Sequence, residues 1–149
     1  MMRAVVMALA LTAAVPALAG QEHQHMHDHA MAAPTATRTV AVTLGDMSFA
    51  PTKVEVKRGE TIRFTLRNES TIDHDFTLGD AAAQAAHRQA MASGHAHAHG
   101  NGGANAVLVP AGGSGELVWT FDKAGDIEFA CNVPGHYESG MKGVVAVGR

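Results

Sequence analysis

From Thr39 onward the chain is divided into short β-branched runs separated by turns, several of them alternating apolar and polar residues. The clearest is Thr61–Asn68, TIRFTLRN, with Ile62, Phe64 and Leu66 on one face and Arg63, Thr65 and Arg67 on the other. Extended backbone points successive side chains to opposite sides, so a run of this kind buries one face and leaves the other to water. Residues 39–45 (TVAVTLG) and 53–60 (KVEVKRGE) also alternate, and further short strands are read over 71–79 (TIDHDFTLG), 106–110 (AVLVP), 115–121 (GELVWTF), 126–131 (DIEFAC) and 143–148 (GVVAVG). About eight short strands without strand–helix alternation predict an all-β, antiparallel two-sheet sandwich rather than a parallel sheet.

One segment breaks the pattern. Residues 80–105, DAAAQAAHRQAMASGHAHAHGNGGAN, start Ala-rich and end as a Gly/His loop. Asp80 is placed as an N-cap, which predicts a helix over Ala81–Ala92. At the N-terminus, MMRAVVMALALTAAVPALAG has the order of a secretory signal: Arg3, an apolar run from Ala4 to Leu11, then Ala17-Leu18-Ala19. The apolar run is short for a membrane anchor and Pro16 interrupts it. The expectation is therefore a signal peptide over 1–19 and an exported mature chain starting at Gly20, in the periplasm or outside the cell. Residues 20–38 have no apolar period and are expected to form a disordered His/Met-rich arm, followed by one folded domain over 39–149. With 11 basic against 14 acidic residues and no basic stripe, nucleic acid is not an expected partner. Stable membrane insertion is not expected once the signal is cleaved.

The chain has 10 histidines and 8 methionines beside a single cysteine, so no internal disulfide can form. That cysteine lies in CNVPGHYESGMKG, 131–143, with His136 five residues later and Met141 five beyond that. Pro134, Gly135 and Gly140 suit tight turns, so all three side chains sit on one loop between two strands. Taken singly each has a commonplace explanation: Cys131 as a small buried hydrophobe, Met141 as packing, His136 as a solvated loop residue. Their joint spacing favours a metal. With a second imidazole from His74, in the fourth strand, they make a trigonal His2Cys set with a weak axial Met, which suits copper. Soft sulfur stabilises Cu(I), and imidazole serves both oxidation states. Zinc favours closed tetrahedral Cys/His sets and has little use for a thioether.

On these residues the chain resembles the cupredoxins, the blue-copper family typified by azurin, plastocyanin and auracyanin. Residues 47–69, MSFAPTKVEVKRGETIRFTLRNE, resemble the family's opening strands, and residues 131–143 its ligand loop. The likeness covers roughly residues 39–149. It implies an eight-stranded Greek-key sandwich, one type 1 copper centre, and His74, Cys131, His136 and Met141 as ligands. Two positions depart from the family pattern. Asp75 follows the first ligand histidine, where many relatives have an Asn that tethers the ligand loops. Asn132 follows Cys131, where Ser or Thr is common. Both changes should tune potential, colour and rigidity rather than abolish binding, and a green, distorted site fits as well as a blue one.

Two His/Met-rich tracts remain: His23, His25, Met26, His27, His29 and Met31 in the arm, and His87, Met91, His95, His97 and His99 in the insertion. On a helix, His87 and Met91 are i,i+4 neighbours able to share an ion. The tracts are expected to hold additional, weakly bound copper. A plain electron carrier needs neither tract. The chain in this respect resembles the bacterial copper-resistance cupredoxins with His/Met-rich extensions. The leading expectation is copper handling in the periplasm (tolerance, buffering or delivery) with one-electron chemistry at the metal. Copper ions are the first expected partner, and a redox protein or a copper exporter the second. The alternative is an electron shuttle between respiratory or photosynthetic complexes, with His136 as the electron port. A copper oxidase or nitrite reductase would need further copper centres, and no His-x-His pair lies within a strand. Cuprous oxidation stays open.

Overall fold

The computed structural model describes residues 35–94 and 104–149. The expected leader, residues 20–34 of the arm and residues 95–103 lie outside the described residues. The eight predicted runs all become strands: β1 (Arg38–Gly45), β3 (Lys53–Lys57), β4 (Thr61–Asn68), β5 (His74–Gly79), β6 (Ala106–Val109), β7 (Ser114–Thr120), β8 (Gly125–Ala130) and β9 (Lys142–Gly148). A further short strand, β2 (Ser48–Ala50), folds back on β1; at three residues it is too short to display a period. Helix α1 runs over Ala81–Ala92, with Asp80 Oδ1 accepting from the Ala83 amide at 2.9 Å, as the N-cap requires. No helix among the described residues is long and apolar enough to cross a membrane.

The strands form two sheets, ordered β2-β1-β4-β7 and β3-β9-β8-β5-β6. The pairing is not wholly antiparallel as predicted, because β1 runs parallel to β4 and β3 parallel to β9. The physical reason lies in the connections. The chain leaves β1, crosses to the other sheet as β3 and returns as β4, so β1 and β4 become neighbours running the same way. A period of two reports which face is buried and carries no information about the direction of the neighbouring strand.

β4 follows its sequence pattern: Ile62, Phe64 and Leu66 are buried while Arg67 is exposed. They meet Val54, Val56, Phe76, Leu78, Phe129, Val145 and Val147 of the second sheet in one continuous core. All five phenylalanines of the chain are buried there. Phe76 is their hub, with ring centroids 5.7 Å from Phe49, 5.3 Å from Phe64 and 5.3 Å from Phe129. Gly143, at the start of β9, lets the backbone lie against Phe129; a Cβ there would collide with that ring and with the Thr52 carbonyl. The metal-site candidates enter at the ends of β5, β8 and β9, so this packing fixes where they stand.

β5 is buried on both faces. Five consecutive residues, from His74 to Leu78, are buried. His74, Phe76 and Leu78 share one side by strand alternation, and the opposite side, carrying Asp75 and Thr77, is covered by α1. Phe76→Ala removes the central ring of the cluster and is expected to lower unfolding stability by about 3–5 kcal/mol, measured by denaturant melts of the metal-free protein. A loss below about 1 kcal/mol would show that the ring cluster does not organise the core.

Candidate metal centre

Residues 68–73 deliver His74 to its place through a small polar knot. Buried Asn68 donates from Nδ2 to the Ile72 and Val109 carbonyls at 2.8 and 3.0 Å, and its Oδ1 accepts from the Ser70 amide and hydroxyl at 3.0 and 2.8 Å. Ser70 Oγ lies 2.9 Å from His74 Nε2. The hydroxyl can direct its proton to Asn68 Oδ1 or to the Ile72 carbonyl at 3.0 Å, so Ser70 Oγ is placed to accept from a proton on His74 Nε2, the tautomer that frees Nδ1 to bind a metal.

The other donors come from the loop after β8. The Cys131 amide donates to the Met141 carbonyl at 3.0 Å, and the Met141 amide to the His136 carbonyl at 3.0 Å, so the loop is closed at its base. Gly135 and Gly140 take φ values of 87° and 92°, a left-handed conformation in which a side chain is strained. Tyr137 anchors the outer part: its hydroxyl donates to Glu128 Oε1 at 2.9 Å, and the Arg88 guanidinium lies 3.8 Å from the ring centre.

Three donor atoms converge. His74 Nδ1 is 3.2 Å from His136 Nδ1, and Cys131 Sγ lies 3.3 Å from His136 Nδ1 and 3.7 Å from His74 Nδ1. A triangle with those sides has a circumradius of about 2.0 Å, so one point lies a metal–imidazole bond length from both nitrogens and a little short of a metal–thiolate one from the sulfur. This is the one group of three or more His, Cys, Asp or Glu side chains among the described residues with metal-site spacing. His74, Cys131 and Met141 are fully buried, whereas His136 is half-buried. The donor set, two neutral nitrogens and a soft sulfur with a thioether on the same loop, fits copper.

Asp75 takes the place that the resemblance gives to an Asn, and it still ties the ligand segments together. Its amide is 3.4 Å from Cys131 Sγ, and its Oδ1 accepts from the Asn132 amide. Its Oδ2 accepts from Thr77 Oγ1 at 2.6 Å and from His87 Nε2 at 2.8 Å. His87 is thus engaged with Asp75, and Met91 is buried, 8% exposed, one turn further along the helix. His23, His25, Met26, His27, His29, Met31, His95, His97 and His99 lie outside the described residues. Ser70, Thr77 and Gln84 were not singled out from the sequence. Gln84 and His87 had one signal: they are polar, stand at i,i+3 in a helix otherwise rich in alanine, and fall on the same stripe as Met91.

Burial pushes the Cys131 thiol up to about 12, with the nearby Asp75 charge adding to the effect. Burial also holds His74 and His136 below the ordinary imidazole range, and for His74 the neighbouring His136 acts in the same direction. Near neutral pH the metal-free site therefore carries a protonated thiol and two uncharged imidazoles.

The chain belongs to the plastocyanin/azurin family of copper-binding proteins, whose family model matches residues 36–148. Among curated proteins it is similar to the copper-resistant cuproprotein CopI of Pseudomonas aeruginosa, 46% identical, with 75% of this chain and 77% of that protein covered. The CopI of Rubrivivax gelatinosus is 48% identical, with 75% and 67% covered. Among solved structures, dithionite-reduced auracyanin from the photosynthetic bacterium Roseiflexus castenholzii superposes with a TM-score of 0.65 at 25% identity, covering 77% of this chain and 100% of that one.

The protonation state sets the pH dependence of metal uptake. Binding through the Cys131 thiolate must displace one proton, and the neutral imidazoles displace none. Apparent Cu(II) affinity, measured against a chelator of known pH behaviour, is expected to rise about tenfold per pH unit from 7 to 8. A flat dependence would mean that Cys131 does not bind as the thiolate.

Proposed function

We propose that His74, Cys131 and His136 hold one copper ion, with Met141 as a weak axial donor, and that the protein is exported to the periplasm to handle excess copper. Support comes first from the convergence of His74 Nδ1, Cys131 Sγ and His136 Nδ1 within 4.8 Å of one another. The likeness to two copper-resistant cuproproteins favours copper tolerance as the physiological task. Copper bound there supplies one-electron exchange between Cu(II) and Cu(I). His74 keeps its donor nitrogen inward through Ser70, Cys131 contributes the soft charge, and the closed loop keeps water from the buried sulfur. The protein is read as a copper-binding redox protein rather than an enzyme. The His/Met tracts are read as weaker additional copper sites.

A second reading, electron shuttling, is favoured by one observation: His136 is half-buried while His74 and Cys131 are fully buried, which leaves an imidazole edge as the way in for an electron. Complementation of a strain lacking the protein separates the two. Cys131→Ser is expected to lose the intense thiolate-to-copper band and to leave the strain sensitive to copper. Replacing the histidines of the arm and of 95–99 is expected to keep that band, reduce total copper bound and reduce protection. If the tract variant protects as well as wild type, and the deletion strain fails in respiration instead, the shuttle reading holds.

A further inference from the structure

The helix inserted after β5 is poorly equipped to pack by apolar contact. Seven of the 12 residues in AAAQAAHRQAMA are alanine, and the buried side chains are Gln84 and Met91. Arg88 lies over the Tyr137 ring and 3.7 Å from Glu138 on the outer part of the ligand loop, and two further polar attachments, from Gln84 and His87, lead to the metal centre. Gln84, fully buried, donates from Nε2 to the Thr77 carbonyl of β5 at 2.9 Å and to the Glu128 carbonyl of β8 at 3.3 Å. Its Oε1 accepts from Asn132 Nδ2 at 2.8 Å. His87 donates from Nε2 to Asp75 Oδ2 at 2.8 Å. Asp75 follows His74 and Asn132 follows Cys131, so each of these two residues is held by one side chain of α1.

The energetics of Asp75 show why this grip matters. It is 2% exposed, and a carboxylate removed from water is stable only if its oxygens find donors. It has three: the Asn132 amide, the Thr77 hydroxyl and His87. A hydrogen bond to a carboxylate draws negative charge away from its oxygens. That charge lies close to the copper centre, since the Asp75 amide is itself 3.4 Å from Cys131 Sγ. Loss of the His87 bond concentrates negative charge near the metal and favours Cu(II) over Cu(I). Loss of the Gln84 bonds leaves the buried Asn132 side chain without its partner and the Asn132 amide held to β5 by Asp75 alone.

We propose that Gln84 and His87 are positioning residues for the copper centre, acting through Asn132 and Asp75, so that α1 braces the ligand segments and sets the colour and reduction potential of the site. This rests on the reading of His74 and Cys131 as copper ligands.

The test uses the purified full chain loaded with Cu(II), as wild type, His87→Leu, His87→Gln, Gln84→Met and Ala86→Gly. His87→Leu is expected to keep one thiolate-bound copper, to shift the relative intensity of its visible bands and to lower its reduction potential. His87→Gln, whose amide can donate to the same carboxylate, is expected to return both towards wild type. Gln84→Met keeps the side-chain bulk and is expected to alter the visible bands. In metal-free protein it should also speed hydrogen exchange at the Asn132 amide. Ala86→Gly weakens the helix without touching either link and is expected to leave spectrum and potential in place. Wild-type bands and potential in both His87→Leu and Gln84→Met would overturn the brace, whatever happens to stability. So would a shift in Ala86→Gly equal to theirs. A wild-type protein with no thiolate-to-copper band would instead remove the ligand assignment on which the brace rests.

Discussion

Asp75 is the joint at which sheet and ligand loop meet. Its amide points at the Cys131 sulfur from 3.4 Å and its Oδ1 receives the Asn132 amide, so one residue holds the loop to β5 from both its backbone and its side chain. A backbone N–H aimed at sulfur favours the thiolate, whereas the carboxylate nearby and the burial of the site oppose it. The metal-free site therefore resists ionisation and relies on a cation to complete it. On the proposed reading, this balance lets a fully buried cysteine act as a ligand rather than as inert packing.

Around this joint, the two sheets supply rigidity that the loop alone lacks. The phenylalanine cluster centred on Phe76 sits on the same strand as His74, two residues on, and Phe129 lies two residues before Cys131 on β8. Side chains anchored to closely packed strands hold their geometry, which is what the proposed one-electron exchange at a bound copper would require. The half-buried His136 is the donor nearest solvent, so access and rigidity are divided between different residues of the same site.

Much of the fold and site was legible because alternation and spacing leave direct marks. Ile62, Phe64 and Leu66 announced the buried face of β4, and the Cys131, His136, Met141 spacing announced one loop. Strand direction was not legible: the same alternation suits β1 beside β4 in either sense, and the connection through the opposite sheet decides it. Nor was the burial of Asp75 and Thr77. HDFTLG carries no mark of a helix that will dock on its second face, and only the docking of α1 turns that face into an interior. The polar stripe of Gln84 and His87 was visible in the sequence, but without the partner strand His87 was more readily paired with Met91 on its own helix. Asp75 was singled out as a departure, and its donors, contributed from β5, α1 and the ligand loop, are tertiary facts.

We propose one copper ion held by two imidazoles and one thiolate at the end of the sandwich. Copper X-ray absorption fine structure of the purified protein, loaded with one equivalent, tests it most directly. Two nitrogen scatterers and one short sulfur scatterer are expected around the metal, and the sulfur shell should vanish when Cys131 is replaced by serine. A first shell of nitrogen and oxygen alone in the unaltered protein would contradict the account.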